Sequence, residues 1–395
     1  MVVINNKRIL TTLLFAGLFF SCGEISVPAS PDTALGSAYP NICQTDDGFI
    51  MIWYEGGEHI VMSEFTDKGW TKKDTIVTSD RFFKNWADLP QIYHTGGDTL
   101  AVSWLEMSGE GTYDYDVKVS ISTNRGKAWS DPVIPHRDGI KGEHGFVSFY
   151  DLNGSIGLIW LDGRAMASGS GGHDHDDGAM RLYTTTIIPK GELGLEIMLD
   201  NMVCECCPTS AVNTSVGPLV AFRDRYADET RNIQLAFIND NQLPRPINED
   251  GWIVPGCPVN GPAMVANVDN VAIAWYTAPD NKPQVNISFS NDGGRTFGNL
   301  IRLDGGSVIG RTDLIWLDDE NVLVSWLAEG EESGKLELKT VNFNTGAVDF
   351  FKSYTISSSR GSGYPKLAMA NGMVFVAWTE PGENGKIKSE WIVIN

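Results

Sequence analysis

The chain has 395 residues, of which 42% are hydrophobic and twelve are tryptophan, and its formal charge is −20. That much apolar and aromatic material builds a sizeable core, which excludes a largely disordered chain. A surface this acidic repels phosphate, which speaks against nucleic acid and anionic lipid headgroups as partners.

Lys7 and Arg8 form a short basic segment, and an apolar run follows over residues 9–20, ending in Phe19-Phe20-Ser21-Cys22. The run is too short for a stable membrane span, so residues 1–21 read as a cleaved signal peptide. A small residue directly before a cysteine resembles the lipobox of bacterial lipoproteins, with Phe19 where that family prefers leucine. The resemblance implies that Cys22 is the acylated first residue of the mature protein. Gly23, in place of an aspartate, implies sorting to the outer membrane. The expected partner is therefore a membrane in the bacterial cell envelope, reached through a lipid anchor. Loss of Lys7 and Arg8 takes the mature charge to −22. Residues 22–37, with Pro28 and Pro31, read as the acylated cysteine and its tether.

From residue 38 to 395 one repeat fills the chain. Runs of β-branched and aromatic residues end at Trp53, Trp104, Trp160, Phe222, Trp275, Trp326 and Trp378, spaced by 51, 56, 62, 53, 51 and 52 residues. Five of the seven have a proline thirteen or fourteen residues earlier: Pro40, Pro90, Pro208, Pro262 and Pro365. Each period holds about four strand-like runs and almost no helical periodicity, the pattern of propeller blades. The expected fold is an all-β propeller of seven four-stranded blades in a single domain. Six blades is the alternative if one repeat is irregular. The last repeat has room for three strands, so a strand before Pro40 is expected to complete it and close the ring.

Two octads carry a family resemblance. Ser290-Asn291-Asp292-Gly293-Gly294-Arg295-Thr296-Phe297 resembles the Asp-box of sialidase-like proteins, and residues 122–129 are a second copy with Asn124 and Ala128 substituted. Each follows an alternating strand at a third-to-fourth strand turn. The Asp or Asn bonds the turn backbone, which makes these residues structural. With the boxes on one face, loops before first strands and after second strands gather at the other, which is the expected functional mouth.

That mouth collects Tyr39, Trp86, Asp88, Glu143, His144, Cys204, Glu205, Cys206, Cys207, Cys257, Asn260, Arg311 and Tyr364. It also collects Glu55, Glu58, Glu106, Asp162, Arg164, Arg223, Arg225 and residues 173–177. The sialidase resemblance implies an arginine trio for a substrate carboxylate, a Tyr–Glu nucleophile pair and an Asp acid, because arginine grips a carboxylate bidentately. Tyr364, Arg311, Arg223 or Arg225, and Asp88 match parts of that set. The first arginine is missing at Ala38, so binding of a glycan or other small molecule is expected and hydrolysis is in doubt. The constellation also resembles exported bacterial proteins labelled sialidase-like, through Glu143-His144-Gly145-Phe146-Val147-Ser148 and Cys257-Pro258-Val259-Asn260-Gly261-Pro262.

The cysteines point elsewhere. Cys204, Cys206 and Cys207 open one repeat and Cys257 opens the next, so register brings all four together. Two readings stand. One is disulfides, as in exported proteins generally. The other is a Cu or Zn site on soft thiolates, joined by His173 and His175, which would make the chain a metal-handling surface lipoprotein. Cys43, inside a strand, reads as a buried free thiol.

Overall fold

In the computed structural model, which describes residues 27–166, 178–188, 190–238, 240 and 242–394, the alternating runs pair into seven antiparallel sheets. The first strands are Ala38–Thr45, Gln91–Gly96, His144–Leu152, Ser210–Thr214, Ala263–Asn267, Val308–Trp316 and Lys366–Ala370. They open blades 1 to 7. The second strands carry the repeat aromatics: Gly48–Glu55, Thr99–Met107, Ser155–Asp162, Gly217–Arg223, Asn270–Thr277, Asn321–Glu329 and Met373–Glu380. First strands of successive blades lie side by side, and Lys366–Ala370 packs against Ala38–Thr45, so the ring closes. The fold is a seven-bladed β-propeller, and the six-blade alternative falls.

Blades 3 to 6 have four strands each, while blades 2 and 7 have three. In blade 2 a single bridge between Val119 and Val133 stands in for the fourth strand. Blade 1 fills that place with two short pieces, Gly69–Trp70 and Asp74–Thr78, both paired to His59–Thr66. The expected strand before Pro40 does not form among the described residues. Instead, residues 27–37 are pinned along blade 7. The Gly36 N–H donates to the Gly385 carbonyl at 2.7 Å, the Ile387 N–H to Ser37 Oγ at 3.0 Å, and Trp391 Nε1 to the Ala29 carbonyl at 3.3 Å. Pro28 and Pro31 lack the N–H groups that a ladder needs.

The core is seven clusters, one between each pair of neighbouring blades. The second strand of blade 1 shows how the period-2 alternation builds them. Phe49, Met51 and Trp53 face blade 7, while Ile50, Ile52 and Tyr54 face blade 2. Both faces are buried, so the strand is apolar throughout. Trp53, Trp104, Trp160, Phe222, Trp275, Trp326 and Trp378 each pack toward the preceding blade, as the repeat requires.

The two octads adopt one geometry. Ser290 Oγ bonds Asp292 Oδ1 at 2.7 Å, and Asp292 Oδ1 accepts the Thr296 N–H at 2.9 Å. Ser122 with Asn124, and Asn124 with the Ala128 N–H, repeat those contacts at 2.9 Å each. Both turns lie against first-to-second strand hairpins, through Gly293 N–H to Asp269 O and Arg125 N–H to Asp98 O. The mouth is therefore the opposite face.

Candidate functional site

At the mouth four first strands enter through residues whose backbone is left-handed although they are not glycine. They are Tyr39 (φ 57°), Phe146 (φ 55°), Val259 (φ 50°) and Arg311 (φ 58°). Side chains of a neighbouring blade hold three of them. The Tyr39 N–H donates to Thr379 Oγ1 at 2.8 Å, the Phe146 N–H to Asp88 Oδ2 at 2.6 Å, and the Arg311 N–H to Asn260 Oδ1 at 2.7 Å. Asp88 and Asn260 occupy the same register, two residues before Pro90 and Pro262. Asp88, expected as a catalytic acid, thus does the job that Asn260 does three blades on.

The surface they frame is aromatic and cationic. Trp86, half-buried, stacks on Tyr364 at 6.5 Å between centroids. The Arg311 guanidinium lies 4.4 Å from the Trp86 ring and that of the exposed Arg360 at 5.9 Å. Arg311 also donates to the Ser359 and Gly363 carbonyls at 3.0 and 3.2 Å. Gly363 is itself left-handed and lies against Tyr39 and the Trp86 carbonyl, where a Cβ would crowd the Tyr39 ring at 3.1 Å. Blades 1, 2, 6 and 7 converge there.

The other sialidase-type candidates are engaged inside the protein. The buried Tyr364 hydroxyl donates to the Val259 carbonyl at 2.7 Å, and burial pushes its phenol far up. Among the described residues it hydrogen-bonds no carboxylate, so the Tyr–Glu pair of a sialidase does not form. Arg223 is fully buried and gives its protons to the carbonyls of Asn260 (2.7 Å), Arg231 (2.7 Å) and Tyr276 (2.5 Å). Burial lowers it to about 10. Arg225 and Arg231 together clasp Glu205 and Glu229. Arg223 thus spends three of its five N–H donors on backbone carbonyls and is buried, so it is not presented to a ligand.

Two carboxyls titrate high. Burial pushes Asp88 up to about 8, with Glu143 adding to it. Burial also pushes Glu143 up to about 7, with Glu205 adding, against the Tyr115 hydroxyl that donates to it at 2.7 Å. Such groups are proton donors and acceptors near neutrality. Glu55 and Glu106 sit away from this centre, on Lys73 and on Ser79 with Lys118.

A charged network between blades 2 and 3 was only half legible. His144 and Asp162 lie in the repeat register, but Asp138 and His136 come from an irregular connection that no register locates. His144 Nε2 is 3.0 Å from Asp138 Oδ2, and Arg164 reaches Asp138, Asp162 and Glu196 at 3.0, 2.6 and 2.7 Å. The His136 ring stacks on His144 at 3.7 Å. Although burial opposes it, Asp138 and Asp162 hold His144 above the usual histidine range, while burial and the charge on His144 push His136 down to about 3. Arg360 and Trp252, which packs 5.0 Å from the Arg223 guanidinium, also gave no sequence signal.

The four cysteines meet as their register requires. Cys204 bonds Cys207 and Cys206 bonds Cys257, with Cα atoms 5.7 and 6.0 Å apart. The second bond joins blades 4 and 5. In this state the four sulfurs are paired with one another and none is a free thiolate. Cys22, His173 and His175 lie outside the described residues. Cys43 is free and half-buried, and burial of its thiol pushes it up to about 12.

No protein-family model matches this sequence, and no curated protein matches it. Among solved structures, the polysaccharide lyase Uly1 matches with a TM-score of 0.55 at 12% identity, over 95% of this chain and 94% of that one. A protein of unknown function from Dyadobacter fermentans matches at 0.50 and 15%, over 93% and 97%. The K499G variant of NanB sialidase from Streptococcus pneumoniae matches at 0.49 and 10%, over 88% and 84%. At such identities the likeness is one of fold.

Proposed function

We propose that this chain is a lipid-anchored envelope protein that binds a carbohydrate bearing an acidic group at the mouth of its propeller. The observation that carries the reading is the Trp86 ring set beside Arg311 and Arg360, at 4.4 and 5.9 Å. An aromatic face packs against the C–H face of a sugar, and a guanidinium beside it pairs with a carboxylate. Glu143, pushed up to about 7 by burial, adds a part-protonated carboxyl to the same face. A polysaccharide lyase shares the fold, which is in keeping with a glycan ligand, although a fold by itself does not assign one. Binding rather than hydrolysis is proposed, because Ala38 replaces the first arginine of the sialidase set and Tyr364 is tied to a backbone carbonyl.

Calorimetric titration with oligogalacturonate and 3′-sialyllactose, beside neutral lactose and cellohexaose, tests this. Binding of an anionic sugar, lost at least tenfold in Trp86→Ala and weakened in Arg360→Ala, is expected. A fluorogenic sialoside should turn over no faster than background. Equal binding of both sugar types, or an unchanged Trp86→Ala protein, would remove the proposal.

A further inference from the structure

We propose that reduction turns Cys204, Cys206 and Cys207 into a trithiolate site for a thiophilic cation with a filled d shell, Cu(I) or Zn(II). Their three sulfurs already lie within 4.8 Å of one another. A Zn–S bond of about 2.3 Å sets ligand sulfurs about 3.8 Å apart, so small χ1 rotations suffice. Soft thiolates select such ions over hard cations. Cys204 and Cys207 are fully buried, which would shield a bound ion from water and competing thiols.

The site survives loss of the disulfides because other bonds hold its backbone. The Val203 N–H donates to the Met180 carbonyl at 2.9 Å and the Cys204 N–H to the Arg223 carbonyl at 3.0 Å. Glu205, inside the triad, is fixed by Arg225 and Arg231 at 2.5 and 3.0 Å, so its carboxylate does not compete for the ion. Gly261 packs directly on Pro208, where a Cβ would meet the Pro208 carbonyl at 1.8 Å, so blades 4 and 5 stay in register without their covalent tie.

The geometry also provides the order of reduction. Cys257 is exposed. A dithiol donor attacks its sulfur, the S–S bond breaks and Cys206 leaves as thiolate. The donor's second thiol then closes on its first and frees Cys257, so two electrons pass and the donor becomes a disulfide. The Cys206 thiolate, within 4.8 Å of the buried pair, attacks Cys204 and releases Cys207. A second dithiol reduces the new Cys204–Cys206 bond in the same way. Four thiols result from two oxidised donors, and binding the cation at three of them releases three protons.

The test uses the full-length Cys22→Ala protein, so that Cys43 is the only thiol outside the cluster. Denatured without reductant it should show one free thiol; after phosphine reduction and desalting, five. Anaerobically, the reduced protein should withdraw one equivalent of Cu(I) from its bicinchoninate complex and the oxidised protein none. A parallel titration of Zn(II) against a chromogenic chelator separates the two ions, and one equivalent of either supports the site. Cys206→Ser should lower affinity at least a hundredfold, while Cys43→Ser and Cys257→Ser retain it. Should Cys206→Ser fail to fold, alkylating the reduced parent protein with iodoacetamide must abolish uptake instead. Uptake by the oxidised protein, uptake that survives alkylation, or none after reduction overturns the proposal.

Discussion

Replacing Asp88 by asparagine should make the protein more stable, and increasingly so as pH rises. Asp88 is 3% exposed and its carboxyl titrates near 8, against 3.8 when solvated. A group whose folded pKa is raised binds more protons in the native state than in the unfolded one, so its ionisation penalises folding. The penalty is absent below about pH 4, grows as pH rises, and is complete above the folded value of about 8. Four units at about 1.4 kcal/mol each set it on the order of 5 kcal/mol at pH 9. Asparagine has no charge to bury and keeps the oxygen that accepts the Phe146 N–H. Asn260 performs the same task for Arg311 at the equivalent register. Urea unfolding followed by tryptophan fluorescence at pH 4.5, 7 and 9 gives the comparison. The Asp88→Asn curve should lie within about 1 kcal/mol of the parent at pH 4.5 and several kcal/mol above it at pH 9. Using the difference cancels the general repulsion of an acidic chain. Parallel curves for the two proteins, or an Asp88→Asn protein less stable at pH 9, would refute the reasoning.

Two further outcomes follow from the architecture and the anchor. Trp275→Ala should cost about 3–5 kcal/mol in the same urea assay, because a fully buried inter-blade ring is deleted between blades that cannot collapse independently. Cys22→Ala should move the protein from the membrane to the soluble fraction of cells expressing it; retention with membranes ends the lipoprotein reading.

The ring was legible because blades bury both faces of their second strands, so Trp53, Trp104, Trp160, Phe222, Trp275, Trp326 and Trp378 recur at nearly one spacing. Register also located the mouth, and it brought Cys206 to Cys257 across 51 residues. What register could not supply was direction. Arg223 and Tyr364 belong to the mouth by position, yet both spend their polar atoms on backbone carbonyls. A loop arginine and a structural arginine look alike in a sequence, since the difference lies in which carbonyls are left orphaned nearby. His136 and Asp138 escaped for another reason, because they sit in a blade connection whose length follows no repeat. The closing strand failed because Pro28 and Pro31 can lie along an edge without joining its ladder.

The placement of backbone strain adds a last argument about where function lies. On the Asp-box face, left-handed Asn153 and Asn371 precede Gly154 and Gly372 in short hairpin turns, where asparagine tolerates that conformation readily, while Arg125 and Val268 carry the same conformation in turns of that face. Among the left-handed residues on the mouth side, Tyr39, Phe146, Val259 and Arg311 lie at the first strands, none is a residue that any turn type favours, and each costs about 1–3 kcal/mol. Blade 7 shows the unstrained solution, with Gly363 left-handed at its mouth. Ring closure alone would be served by glycine in all five places. Two of the side chains kept instead build the mouth: Tyr39 against Gly363 and Arg311 over Trp86. Thr379, Asp88 and Asn260 of the neighbouring blades hold three of these residues in place, which is the support that the proposed ligand surface at the mouth would need.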